Sequence, residues 1–148
     1  MIRPITKQDR DLYLSLMDEF YHSPAVLHPV DPDYCVRAVD EILSRDTYLL
    51  GYLLEHEGQI AGYAMLARAY STECGGPVLW IEELYVREDF RSKGLGHEFF
   101  SFLEREFAHD ICRFRLEVEP ENIKAQSLYR RLGFEVLPYT QMVREFPH

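Results

Sequence analysis

Ile81-Glu82-Glu83-Leu84-Tyr85-Val86, followed by Arg87-Glu88-Asp89-Phe90 and Arg91-Ser92-Lys93-Gly94-Leu95-Gly96, decides how the rest of the chain is read. The first six residues are β-rich and hold two adjacent carboxylates. The next four make a charged turn, and the last six open a helix whose first turn carries two glycines. Gly94 and Gly96 have no side chain where the first free amides of that helix point, so an anion can come close to the backbone. Arg91 and Lys93 bring positive charge to the same turn. This chemistry suits a diphosphate, and the same residues also suit a tight surface turn with two solvated bases. It is not a common nucleotide signature: Phe99 stands where a third glycine would complete Gly-x-Gly-x-x-Gly, and no Gly-Lys-Ser/Thr run is present.

Working outward, Leu95, Phe99, Phe102, Leu103 and Phe107 share one helical face, so the glycine turn feeds a helix packed on the core. Residues 112–118 alternate Cys112, Phe114, Leu116 and Val118 with Arg113, Arg115 and Glu117, the pattern of a strand. Asn122 then caps a helix bearing Ala125, Leu128, Tyr129 and Leu132, and Gly133 stops it. Residues 134–136 and 139–146 are expected as the last strands, with Pro138 between them.

On the other side, residues 2–5 read as a short strand, and Thr6 with Asp9 as a capping box opening a helix over 7–21. A loop with two prolines and two histidines follows. Asp31-Pro32 starts a second helix, which runs to about Ser44. Residues 48–55 and 60–68 form a hairpin around His56-Glu57-Gly58-Gln59, residues 70–77 a loop, and Val78 opens the strand that carries Glu82 and Glu83. This order is an α/β sandwich with a mixed sheet in a single domain, 1–148.

Composition narrows the function. A chain of 148 residues fits one domain with one core. A net charge of −9 weighs against nucleic acid and anionic membranes as partners and favours a cationic or amine substrate. Cys35, Cys74 and Cys112 are odd in number and widely spaced, which fits a reduced, cytoplasmic compartment. There is no apolar signal core and no stretch long enough for a membrane span. The six histidines form no ligand set, so no metal is expected.

Three signals together resemble the Gcn5-related N-acetyltransferase (GNAT) superfamily. They are the strand Glu82-Glu83-Leu84-Tyr85-Val86, the loop Arg91-x-x-Gly94-x-Gly96, and Asn122-x-x-Ala125-x-x-Leu128-Tyr129-x-x-x-Gly133-Phe134. The resemblance implies a mixed, mostly antiparallel twisted sheet flanked by helices, and acetyl-CoA as acetyl donor. It places the donor's pyrophosphate on the amides of Arg91, Ser92, Lys93, Gly94, Leu95 and Gly96. It pairs the pantetheine arm with the backbone of Leu84, Tyr85 and Val86, sets Asn122 along the donor's other side, and brings Tyr129 near the thioester sulfur. Ser92 departs from the pattern, filling a place often held by glycine.

The implied activity is transfer of the acetyl group from acetyl-CoA to a primary amine of a small cationic molecule by direct attack. A protein or peptide N-terminal or lysine acceptor, and a non-catalytic CoA-binding regulatory module, are the alternatives. Direct attack needs alignment, a deprotonated amine and help for the departing thiolate. The resemblance gives the last task to the Tyr129 hydroxyl; a core tyrosine with an incidental partner is the competing role. For the base, Glu82 and Glu83 are both candidates. Neighbouring strand residues face opposite ways, so one of them faces the acceptor; the resemblance favours Glu82, with a bulge in the strand able to reverse the choice. Tyr21, His22, Tyr34, Tyr70 and Tyr139 are candidates to line the acceptor pocket. Exposed aromatics and the final strand permit a homodimer without requiring one.

Overall fold

Helix starts follow the local signals closely in the computed structural model, which describes residues 1–148. The Thr6 amide donates to Asp9 Oδ2 at 2.8 Å and the Asp9 amide donates to the Thr6 carbonyl at 2.9 Å. This reciprocal closure sets a 3₁₀ turn, Lys7–Asp9, ahead of helix α1 (Arg10–Tyr21). Asp31 caps α2 (Pro32–Ser44) by accepting from the Asp33 amide at 2.9 Å, with Pro32 supplying a first residue that has no amide to satisfy.

Five strands, β1 (Ile2–Pro4), β2 (Leu49–His56), β3 (Gln59–Ser71), β4 (Gly76–Val86) and β5 (Arg113–Leu116), make one sheet in chain order. The first three pairings are antiparallel and β4–β5 is parallel, giving the expected mixed, mostly antiparallel sheet. Glu57 and Gly58 both have positive φ, the left-handed pair that closes a tight hairpin between β2 and β3. The loop expected over 70–77 is shorter: β3 runs on to Ser71 and β4 begins at Gly76, because Tyr70 pairs with Pro77 and Ser71 with Gly76.

The helix pair covers one face. Tyr13, Leu16 and Met17 of α1 and Val39 of α2 pack with Leu53, Tyr63 and Met65 of the sheet. Tyr52 points to the other face and meets Phe102 of α3 (Leu95–Phe107) edge-on at 5.3 Å. Leu95, Phe99, Phe100 and Leu103 are the buried residues of α3, so its inward stripe is wider than the spacing of the other phenylalanines suggests. No helix is long and apolar enough to cross a membrane.

The chain forms two compact units, Met1–Glu117 and Val118–His148. The second holds α4 (Ile123–Arg131), capped as expected by Asn122, whose Oδ1 accepts from the Ala125 amide at 3.1 Å. The strands expected at 134–136 and 139–146 do not form. Apolar residues are present in both stretches, but Pro138 lacks a donor and this unit contains no strand for them to pair with.

Candidate active site

The mouth of α3 is built from backbone. Gly94 is its N-cap with φ 79° and makes no side-chain cap, and Ser92 is also left-handed with φ 62°. The first amide of the helix to find an acceptor is that of Glu98, on the Gly94 carbonyl at 3.0 Å. The amides of residues 92–97 therefore have no acceptor in the chain, and consecutive amides with left-handed residues among them form a concave anion nest. A Cβ placed on Gly94 would meet nothing within 4 Å, so the approach is open. Arg91, Ser92, Lys93 and Gly94 are exposed, whereas Leu95 is buried and anchors the helix start. These residues fit a diphosphate group. Arg91 is used partly inside the chain: its Nε donates to the Val86 carbonyl at 3.0 Å, tying the turn back to the strand.

Beside that turn the sheet opens. Pairing between β4 and β5 ends at Ile81 with Leu116, while β4 continues to Val86. The edge carrying Leu84, Tyr85 and Val86 on that side has no strand partner, so an extended ligand can add to it by backbone hydrogen bonds. The Val86 carbonyl keeps a second lone pair beyond the one Arg91 uses.

At the start of this open edge the strand is bulged. Leu66 pairs with Ile81 and Met65 with Glu83, which leaves Glu82 as the extra residue. Ile81 and Glu83 are thereby turned to opposite faces although they are two residues apart. Glu83 lies on the face of Met65, under α1, and both of its oxygens accept from tyrosine hydroxyls: Oε1 from Tyr63 at 2.6 Å and Oε2 from Tyr21 at 2.9 Å. Loss of hydration raises its pKa above the ordinary glutamate value; the two hydroxyls pull it back and neighbouring Glu82 raises it further. Glu82 is exposed, yet the surrounding protein costs it enough hydration to raise its pKa, and Glu117 adds to the rise. The bulge thus gives two adjacent carboxylates different surroundings.

Tyr129 lies half-buried on α4 in the second unit, its ring 5.9 Å from that of Phe134. Burial raises its hydroxyl pKa, so it keeps a proton to donate. Asn122 is occupied in capping α4. Among the residues expected to line an acceptor pocket, Tyr21 reaches Glu83. Tyr34 is exposed on α2 under the Arg37 guanidinium, Tyr70 lies far along β3 opposite Pro77, His22 bonds the Asp18 carbonyl, and Tyr139 is exposed in the second unit. Tyr63 was not singled out by the sequence: its alternation with Met65 marks it as core, and only the bulge brings Glu83 opposite that face. Cys35 is half-buried, and desolvation and the Glu83 charge raise its pKa, so it is not an activated thiol.

The acetyltransferase (GNAT) family model matches residues 10–134. An aminoglycoside N(6')-acetyltransferase type 1 of Salmonella typhimurium is 26% identical over 113 residues, covering 74% of this chain and 78% of the relative. A spermine/spermidine N(1)-acetyltransferase of Bacillus subtilis is 30% identical over 86 residues, covering 55% of this chain and 57% of the relative. Among solved structures, AAC(6')-Iy in complex with the bisubstrate analogue CoA-S-monomethyl-acetylneamine superposes with a TM-score of 0.80 at 22% identity, covering 99% of this chain and 98% of that one. That likeness is one of fold.

Proposed function

The chain belongs to the GNAT acetyltransferase family, and from that premise we propose that it moves the acetyl group of acetyl-CoA onto a primary amine of a small cationic molecule by direct attack. The observation that carries the reading is Glu82, the extra residue of the β4 bulge, exposed and set at the start of an unpaired strand edge, with its pKa raised by lost hydration. Relatives named for aminoglycoside and polyamine acetylation support a cationic acceptor. Acetyl-CoA, when bound, supplies the activated acetyl group.

The chain's own residues supply the rest. Amides of residues 92–97 bind the diphosphate, and the edge at Leu84, Tyr85 and Val86 aligns an extended arm. An alkyl ammonium has a reference pKa of about 10.4, so it must lose a proton before attack. Glu82, exposed and with its pKa raised from the ordinary glutamate value by lost hydration, takes that proton directly or through water. For the departing thiolate, the resemblance seen in the sequence points to Tyr129, whose hydroxyl pKa is raised by burial within the second unit.

The test is free-thiol release from acetyl-CoA against a panel of polyamines, aminoglycosides, monoamines and peptides. Release with cationic small amines is expected. CoA binding without release for any member of the panel would leave a CoA-binding module and overturn the reading, and release confined to peptides would move the acceptor to protein.

A further inference from the structure

Glu83 is the buried ionisable group that the proposed reaction leaves without a task. Its two oxygens offer about four lone-pair directions, and the Tyr63 and Tyr21 hydroxyls use two of them. No basic side chain faces it. Arg87, the basic residue at the end of the same strand, is committed to Glu19 with contacts of 2.8 and 3.2 Å, and Tyr85 donates to the same carboxylate at 3.3 Å. A desolvated carboxylate with hydroxyl donors and no cation is an incomplete arrangement, because hydroxyls stabilise the charge without neutralising it.

The surroundings suit an alkyl ammonium. Tyr63 stands 4.9 Å from Tyr13 and 6.1 Å from both Phe20 and Tyr85, and Phe20 stands 5.0 Å from Tyr21, measured between ring centroids. Tyr13 and Tyr63 are fully buried and form the floor, while Phe20, Tyr21 and Tyr85 are half-buried and keep ring surface that attracts a cation and accepts the methylenes attached to it. The bulge adds the second half of the argument. It leaves Glu82 exposed and turns Glu83 under α1, so two carboxylates consecutive in sequence serve two different places. An acceptor with one charge needs only the first.

We propose that Glu83, held by Tyr21 and Tyr63, binds a second, non-reacting ammonium of the acceptor and so selects di- and polyamines over monoamines. This deepens the acetyltransferase reading and rests on it for the identity of the reacting amine. Glu83 is then a specificity-determining residue, while proton removal stays with Glu82. Tyr21 is the last residue of α1, so its bond to Glu83 also links the acceptor's charge to the end of that helix.

The experiment compares diaminobutane with butylamine, by thiol-release kinetics and by calorimetric titration into the protein saturated with CoA. The wild type should prefer the diamine by about tenfold or more in kcat/KM, a factor typical of one charge-assisted contact. Glu83→Gln should bring the ratio near one, with the loss carried by the diamine's KM and matched by weaker diamine binding in calorimetry. Glu83→Asp, which keeps the charge, should retain the preference. An unchanged ratio in Glu83→Gln overturns the proposal, as does an equal fall in kcat for both amines, which would make Glu83 the base. Loss of preference in Tyr21→Phe but not in Glu83→Gln assigns selectivity to the hydroxyl and also overturns it. Glu83-dependent diamine binding without thiol release refutes the reaction and leaves the subsite. Thiol release with no diamine preference refutes the subsite and leaves the reaction.

Discussion

Two carboxylates of this molecule, Asp9 and Glu83, are both withdrawn from water, and the chain treats them in opposite ways. Asp9, 8% exposed, takes the Arg3 guanidinium on both oxygens at 2.8 and 3.0 Å, together with the Thr6 amide. The guanidinium is the largest influence on it and holds its pKa well below the usual carboxylate range. Glu83 has hydroxyl donors only, and burial raises its pKa. At the β1–α1 corner the chain answers its own charge. At the β4 bulge, and again at the mouth of α3, it holds polar groups in place without answering them. A site for a ligand is recognised here by what the fold leaves incomplete.

The sharpest break in that comparison is expected at Glu82. Glu82→Gln should lower kcat/KM by about a hundredfold or more, the scale of a lost general base. It should also remove the acidic limb of the pH profile, which in the wild type is displaced upward from the ordinary glutamate value because the folded pKa is raised. A limb that persists in the variant would place the base elsewhere. Next in size, Asp9→Asn should cost about 2 kcal/mol of stability, or roughly 4–8 °C in Tm, from weakened hydrogen bonds to a charged partner. Since the folded pKa of Asp9 is depressed, its contribution is present at neutral pH and disappears as pH falls through that lowered value. Wild type and variant should therefore differ most near neutrality and converge in acid; a constant gap across pH would show that the ion pair is not the cause.

Glu83→Gln should give the opposite profile, at smaller amplitude. A carboxyl whose folded pKa is raised favours folding below its unfolded value and loses that contribution as pH rises through the folded one. The variant should match the wild type near pH 4, relative to a reference glutamate pKa of about 4.3, and unfold at the higher temperature near neutrality. Thermal unfolding across that range decides it, and a variant less stable at neutral pH than at acid pH, relative to wild type, would mean that the Glu83 charge is already compensated.

Most of the frame was legible because its signals are local. Thr6 with Asp9 and Asp31 with Pro32 mark helix starts by hydrogen bonds that span two or three residues, and Glu57-Gly58 marks the hairpin by backbone conformation. The site was legible in outline for the same reason: Gly94 opens the helix mouth and Asn122 caps α4. Three features depended on partners distant in sequence. The bulge at Glu82 is set by register against Met65 and Leu66, so no residue of β4 announces it. Tyr63 becomes a partner of Glu83 only once that register is fixed. Residues 134–136 and 139–146 hold apolar and aromatic residues that suit strands, but a strand also needs a neighbour to bond.

Ser92 gives the smallest effect. It is held at φ 62° in the anion nest, where an L-residue with a side chain costs about 1 kcal/mol, and a glycine in its place relieves that strain while adding freedom to the unfolded chain. Ser92→Gly should therefore raise stability by less than about 1 kcal/mol. The turn is fixed around it by the Arg91 amide on the Glu88 carbonyl at 3.2 Å and by Arg91 Nε on Val86, so the nest keeps its shape in the variant. CoA affinity, measured by calorimetry, should then stay where it was. A fall in affinity with stability unchanged would show that the serine hydroxyl, and not the backbone alone, contacts the diphosphate, which would narrow the contrast with Asp9 by giving the nest a side chain of its own.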